Sequence, residues 1–447
     1  MATLDKPISL LKIVAFATAT LNCKLFYSFS VLWRNKGNSD FNRDIRWIAL
    51  GFIAVAEVLT LSVWFSASVV SSSFQQLWHL NTIEVAMLTA AVQIGFVIGA
   101  LGSSFTGLAD RFNPRVVFAI SAATGALVNA LFVFSNSFGL GILLRLLVGI
   151  TMVGVYPVAI KLVTQWSPLG RGAAIGTLVG ALTLGSSLPN LIRYFGIGAP
   201  WQIVILSSSG LALCGSAIVG LLLPTRPNIP QNTVTSISFA HFRSITKNKL
   251  AMLANYGYFG HMWELYAMWT WFPTFIYGSL IASGHRIQAG SDSALIGFLT
   301  IGVTGAIGSV LGGQLGDKIG RTVLASFAMA ISGLCAIFIG LAYGGSIWII
   351  VVLGTLWGFS VIADSAQFTA AVTELTAPEH LGTAVTFQTA LGFFITAVSI
   401  NLVAVFKDLV GWHWAFTLLS IGPFLGVYSM LRLRIQLGSH GIADGLK

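Results

Sequence analysis

Glu57 and Glu264 lie inside long apolar runs, 207 residues apart, and each is followed seven residues later by Trp-Phe: Trp64-Phe65 and Trp271-Phe272. A carboxylate in such surroundings can bind and release a proton, coordinate a substrate, or lock two segments together. A low dielectric penalises its charge, which makes proton loading and release available to it. Two more titratable groups belong to the same inventory. His261 stands three residues before Glu264 and shares its helix face, as a proton partner or an interhelical donor. Asp364 stands ten residues before Glu374, deep in another apolar run. Trp64 and Trp271 share a face with their glutamates by helical spacing, which makes them the aromatic residues expected to line a pathway.

The chain has only five Glu and thirteen Trp among 447 residues, so the repeated pattern points to internal duplication. The same offset carries Asp110-Arg111 onto Asp317-Lys318. Composition states what surrounds these residues. The chain is 55% hydrophobic and 9% charged, with a mean hydropathy of +0.85. A water-soluble chain carries about one quarter charged residues, so most of this one must face lipid. The net charge of +10 is scattered singly between apolar runs; without a basic face it argues against nucleic-acid binding. Cys23, Cys214 and Cys335 lie far apart and read as small apolar filler, with no metal-binding or disulfide spacing. No GxSxG, P-loop or HExxH occurs, so the expectation is a non-enzyme with no catalytic residues, cofactor or metal.

The elements that must hold the carboxylates are membrane-spanning helices, each needing about 20 apolar residues. Twelve apolar segments satisfy this, beginning with roughly 46–72 and 82–108. The domain reading is an N-terminal extension (1–45), a six-helix half (46–223), a polar linker (224–250), a second six-helix half (251–434) and a tail (435–447). If both termini are cytoplasmic, thirteen Lys and Arg fall on the cytoplasmic side and three (Arg193, Arg286, Lys407) on the other. The positive-inside rule favours that orientation. Residues 1–45 read as a cytoplasmic, interfacial stretch, or as the product of a misplaced start codon, because Lys12 interrupts the apolar run Ile8–Leu21. Glu57, eleven residues after Arg46, is about 16 Å along the helix and so near mid-membrane.

Between the eighth and ninth segments stands Gly313-Gln-Leu-Gly316-Asp317-Lys318-Ile319-Gly320-Arg321. It resembles the GxxxD(R/K)xGR loop of the major facilitator superfamily. The first-half copy keeps Gly107, Asp110, Arg111 and Arg115, but has Thr106 where the first Gly is expected and Asn113-Pro114 in place of Gly-Arg. Arg145-Leu-Leu-Val-Gly149 resembles the RxxxG pattern of the superfamily's fourth helix. The resemblance covers about residues 46–434. It implies an all-α membrane protein of twelve helices in two pseudo-symmetric six-helix bundles around a central cavity, working by alternating access. It also implies that Arg145 faces that cavity, neutralising a carboxylate or holding an anionic substrate, and that the two loops form a cytoplasmic gate.

Subfamily patterns narrow this little. A PESPR-type signature is missing after the sixth segment, the GxxxGPxxGG pattern of drug–proton antiporters is not met, and the second and eighth segments contain no arginine. What remains is similar to the bacterial nitrate/nitrite- or cyanate-permease-like group. The functional expectation is a monomeric secondary transporter of a small solute in the bacterial inner membrane, coupled to protons. The alternatives are a uniporter or exchanger of a small anion using Arg145 and His261, and a drug–proton antiporter.

Overall fold

The computed structural model describes residues 39–107, 111–166, 171–196, 198–223, 246–285, 287–377 and 381–436, with 442, 445 and 446 beyond them. The expected extension up to residue 38, most of the linker and Asp110 of the first gate loop lie outside the described residues. The chain divides into two compact units, Met1–Ile48 and Ala49–Lys447. The described part of the first is helical, and the Arg46 guanidinium lies 5.6 Å from the Trp47 ring centroid.

Among the described residues the long elements are all helices: α1 (Ser39–Leu61), α2 (Thr82–Thr106), α3 (Pro114–Phe134), α4 (Phe138–Trp166), α5 (Arg171–Phe195), α6 (Gln202–Leu222), α7 (Lys249–Ala282), α8 (Ala289–Ile319), α9 (Arg321–Ala342), α10 (Ile347–Glu374), α11 (Leu381–Val410) and α12 (Trp412–Arg434). Ten of them, α2–α6 and α8–α12, are long and apolar enough to cross a membrane. The other two carry more polarity: Arg43, Asp44, Arg46 and Glu57 in α1, and His261, Glu264 and several Tyr and Trp in α7. Large apolar side chains face outward, among them Ile120, Phe327, Trp348 and Val352, as a lipid-facing surface requires.

Local sequence sets the helix ends. Asn81 and Glu84 form a reciprocal capping box at the start of α2, with bonds of 2.9 and 2.8 Å. Gly107 ends α2 in the left-handed region at φ 64°. Asn113 and Pro114 start α3, and Asn248 caps α7. The expected first span of roughly 46–72 is not one helix. Α1 stops at Leu61, and after a turn two short helices, Ser66–Val69 and Ser71–Trp78, carry the chain on. Further interruptions fall at matching places in the two halves: residues 153–155 break α4, and Asp364 breaks α10.

Close helix approach repeats in the same way. A Cβ on Gly149 of α4 would collide with the Val92 carbonyl of α2, and a Cβ on Gly358 of α10 with the Thr300 carbonyl of α8. The glycine of the RxxxG pattern is therefore a packing requirement. Between the halves, α2 runs against α11 and α5 against α8. Near the gate-loop end these contacts include Ser104–Thr386 (Oγ–Oγ1 2.7 Å) and a bond from Ser309 to the Gly176 carbonyl (2.9 Å).

Candidate functional site

The two glutamates are both buried, yet their surroundings differ. Glu264 of α7 accepts from the Trp357 indole N–H at 2.7 Å and from the Ser332 hydroxyl at 2.8 Å. It thereby ties α7 to α10 and α9 within the second half. Glu57 of α1 is fully buried, and among the described residues neither of its carboxyl oxygens has a hydrogen-bond partner. Tyr156 of α4 lies within electrostatic reach of both Glu57 and Tyr258 of α7. Tyr156 thus stands between Glu57 and a tyrosine of the second half.

His261 and Asp364, which the sequence did not pair, come together. The His261 Nδ1 to Asp364 Oδ1 distance is 2.9 Å, with both side chains 1% exposed. Among the described residues, His261 Nε2 has no hydrogen-bond partner. Asp364 sits at the α10 interruption, where backbone groups are released from the helical ladder.

Arg145 is fully buried and directed into the α1 break. Its guanidinium donates to the carbonyls of Val63 (3.1 Å) and Trp64, to Asn129 Oδ1 (2.9 Å) and to Ser66 Oγ (3.4 Å). Four protein acceptors surround it, and among the described residues only its Nε lacks a partner. The charge caps carbonyls that the end of α1 leaves without helical donors. The interruption that Arg145 holds aims Trp64 and Phe65 at the second half. Trp64 packs against Phe96 (5.4 Å between ring centroids), Phe393 (5.6 Å) and Tyr266 (6.0 Å). Phe65 stacks with Tyr266 and meets Trp269, each at 6.1 Å. This aromatic layer draws on α2 and the α1 break from one half and α7 and α11 from the other. The second tryptophan of the repeat behaves differently: Trp271 donates its indole N–H to the Ile400 carbonyl at 2.9 Å, fastening α7 to α11.

On the side of this layer away from the gate loops is a chamber of about 430 Å³. Its floor includes Phe65 and Trp269, and its walls carry Ser72, Ser73, Asn190 and Tyr277 among other polar residues. Among its described lining residues there is one charged group, Arg193, and no carboxylate. Arg193 is half-buried, in the last turn of α5, and has no hydrogen bond or ion pair among the described residues. A wider cavity of about 600 Å³ shares Ser73, Gln76, Arg193 and Gly290 with the chamber and continues past Trp201 and Ile287.

At the opposite end, the second gate loop is a network. Arg321 pairs with Asp317 (3.2 Å) and Glu374 (2.7 Å) and donates to Gln367 (3.1 Å), which in turn donates to the Gly312 carbonyl (3.1 Å). Gly320 takes φ 96°, making the turn that brings Arg321 back onto α10. Lys318 is exposed, on the free side of α8, and Gly313 is buried where α5 crosses. In the first loop, Arg115 ties α3 to the Val219 and Gly220 carbonyls of α6 at 3.0 and 2.7 Å, while Arg111 is exposed.

The model of the Major Facilitator Superfamily matches residues 52–304, more than half of the chain. The chain belongs to that superfamily. The match runs from α1 into α8, so it includes the first gate loop and the RxxxG pattern. The all-α architecture fits it, and membership marks the chain as one of a transporter family rather than an enzyme. Curated relatives are distant and are named as transporters. A niacin transporter of Acinetobacter baylyi is 25% identical over 63% of this chain and 69% of its own length. A gallate transporter of Pseudomonas putida is 24% identical over 81% and 86%. A Cupriavidus necator protein named "Probable sulfoacetate transporter" is 24% identical over 56% of this chain, and the match spans 63% of that relative's length. These names carry substrates other than the nitrate and cyanate suggested by the sequence.

Two features of the superfamily member's interior were not singled out from sequence. Tyr156 carried no signal beyond its place in an apolar helix. Arg193 did carry one: it is among the three basic residues on the sparsely charged side of the topology, next to Ser186-Ser187 and Asn190.

Proposed function

We propose that this chain is a secondary transporter of a small solute, coupled to protons through Glu57. In this reading the halves 46–223 and 251–434, joined by 224–250, rock about the central aromatic layer. Both termini are cytoplasmic, so the chamber beside Arg193 opens to the outside and the gate loops face the cytoplasm. The observation that carries proton coupling is the fully buried Glu57 carboxyl with two partnerless oxygens. Charge on such a group is costly in a low dielectric. Proton exchange there needs water from one side or the other, which links protonation to the access state. Glu264 supports this assignment by contrast, because its oxygens already accept from Ser332 and Trp357. His261 and Asp364 form a second candidate proton pair.

The test is uptake into proteoliposomes under an imposed pH gradient, with nicotinate and gallate as first probes. Wild type accumulates substrate. Glu57→Gln loses gradient-driven accumulation while retaining exchange of internal for external substrate. Accumulation that survives Glu57→Gln overturns the proton role.

A second reading, uniport or exchange of a small anion, is favoured by the relatives. Niacin, gallate and sulfoacetate transporters are all named for carboxylates. Wild-type uptake indifferent to the pH gradient would select it. Arg145 is a poor anion ligand in this state, since protein oxygens surround its guanidinium.

A further inference from the structure

We infer that Arg193 and the chamber beside it form an outer capture site for the carboxylate group of the substrate. The inference rests on the transporter reading and names the substrate class: small organic acids with a compact aromatic or hydroxylated body. Four observations converge on it. The chamber, at about 430 Å³, has the size of a small-molecule site. Its described lining carries one charge, positive, and no acidic side chain to neutralise it. Hydroxyl and amide groups surround that charge, including Ser72, Ser73 and Asn190 from the first half and Ser293 from the second. Arg193 itself, half-buried, makes no hydrogen bond or ion pair with any described residue, and Tyr277 of α7 is within its electrostatic reach.

A positive charge in the last turn of α5 also complements the helix dipole. That accounts for a cation at this position. It does not account for a fork of N–H donors left open toward a chamber lined with hydroxyls. A guanidinium matches a carboxylate with two parallel charge-assisted bonds, and the surrounding hydroxyls can bond the remaining lone pairs. The rest of a small acid would lie against Trp269 and Phe65, which form the floor. Arg193 stands where the chamber meets the wider outer cavity of about 600 Å³, so an anion arriving from outside meets it before the aromatic layer. Recognition by charge at the mouth, followed by passage between rings of the two halves, gives the site its order of events. An uncharged analogue would reach the rings without being held.

The experiment is calorimetric titration of the full-length protein in nanodiscs with pairs of probes: nicotinate against nicotinamide, gallate against ethyl gallate, and galacturonate against galactose. At least one acid binds, and its uncharged twin binds at least about tenfold more weakly. Arg193→Gln weakens the acid by about tenfold and erases the difference between twins. Arg193→Lys keeps the charge without the fork and falls between. Raising salt weakens wild-type binding and leaves the Gln variant unchanged. Equal affinity of wild type and Arg193→Gln, equal affinity of acid and twin, or no binding by any acid overturns the site. Uptake by wild-type proteoliposomes separates the two readings. Uptake unchanged by Arg193→Gln at limiting substrate removes the capture site and leaves transport standing. Acid binding through Arg193 without any uptake removes transport and leaves the site standing.

Discussion

Replacing Glu264 by Ala and by Gln should give losses of very different size, and the difference can be worked from its two bonds. In Glu264→Ala the Trp357 indole N–H loses its acceptor at 2.7 Å in a fully buried position. A stranded buried donor costs about 1–3 kcal/mol. Ser332 is spared, because its hydroxyl also reaches the Met329 carbonyl at 3.1 Å. The one lost side-chain methylene adds roughly 0.8 kcal/mol of packing. The sum is a loss of about 2–4 kcal/mol, or roughly 2–4 °C in melting temperature for a chain of this length. Glu264→Gln keeps a carbonyl for Trp357, and its amide can donate to Ser332 while Ser332 turns to Met329. Its expected cost is below about 1 kcal/mol. Glu57 supplies the control, since no bond exists to lose: Glu57→Gln leaves the melting temperature within about 1 °C of wild type or raises it. The assay is thermal unfolding of detergent-purified protein followed by fluorescence, with Trp357→Phe as the partner variant. Trp357→Phe combined with Glu264→Ala should cost less than the sum of the two changes. A Glu264→Ala protein as stable as wild type, or a Glu57→Gln protein as damaged as Glu264→Ala, would refute the reasoning.

Other perturbations probe the remaining contacts. Arg145→Ala uncaps the α1 break, with an expected loss of about 3–5 kcal/mol and faster amide exchange at residues 62–66; exchange equal to wild type argues against the capping role. Arg145→Lys keeps the charge but cannot reach four acceptors, and it rescues less than half of that loss in the same unfolding assay. Gly149→Ala drives a methyl into the Val92 carbonyl and costs about 1–3 kcal/mol, whereas Gly102→Ala, in open space, is neutral or stabilising. Oxidation of a Ser104→Cys/Thr386→Cys pair stops uptake and a reductant restores it, because those hydroxyls touch across the halves at 2.7 Å; uptake unaffected by a verified cross-link contradicts rocking at that seam.

The sequence was informative about depth and register, and much less about company. Spacing alone placed Glu57 and Glu264 at like positions and marked the loops that became the Arg321 network. It suggested equivalence between the two glutamates, and the structure does not supply it. What distinguishes them is what other helices bring: Ser332 lies 68 residues from Glu264 and Trp357 lies 93 away. No local pattern encodes such meetings. The same holds for Trp64 and Trp271, one in a cross-half ring cluster and the other bonded to α11. The break after Leu61 was hidden for a different reason. Ser62 to Phe65 is apolar enough to continue a helix, and the reason it does not is a tertiary one, Arg145 arriving from α4. The acceptors of Arg145 became visible only with the fold.

The ring cluster has an optical consequence. Trp64 and Trp269 both bury indole nitrogens that lack hydrogen-bond partners among the described residues, and both touch rings across the seam between the halves. Indole emission shifts toward the red when its surroundings become wet. A rocking motion that floods this seam would therefore change the colour of the protein's own fluorescence. Unlabelled protein would carry its own clock for the access cycle, readable by stopped flow, with Trp64→Phe and Trp269→Phe identifying which ring reports.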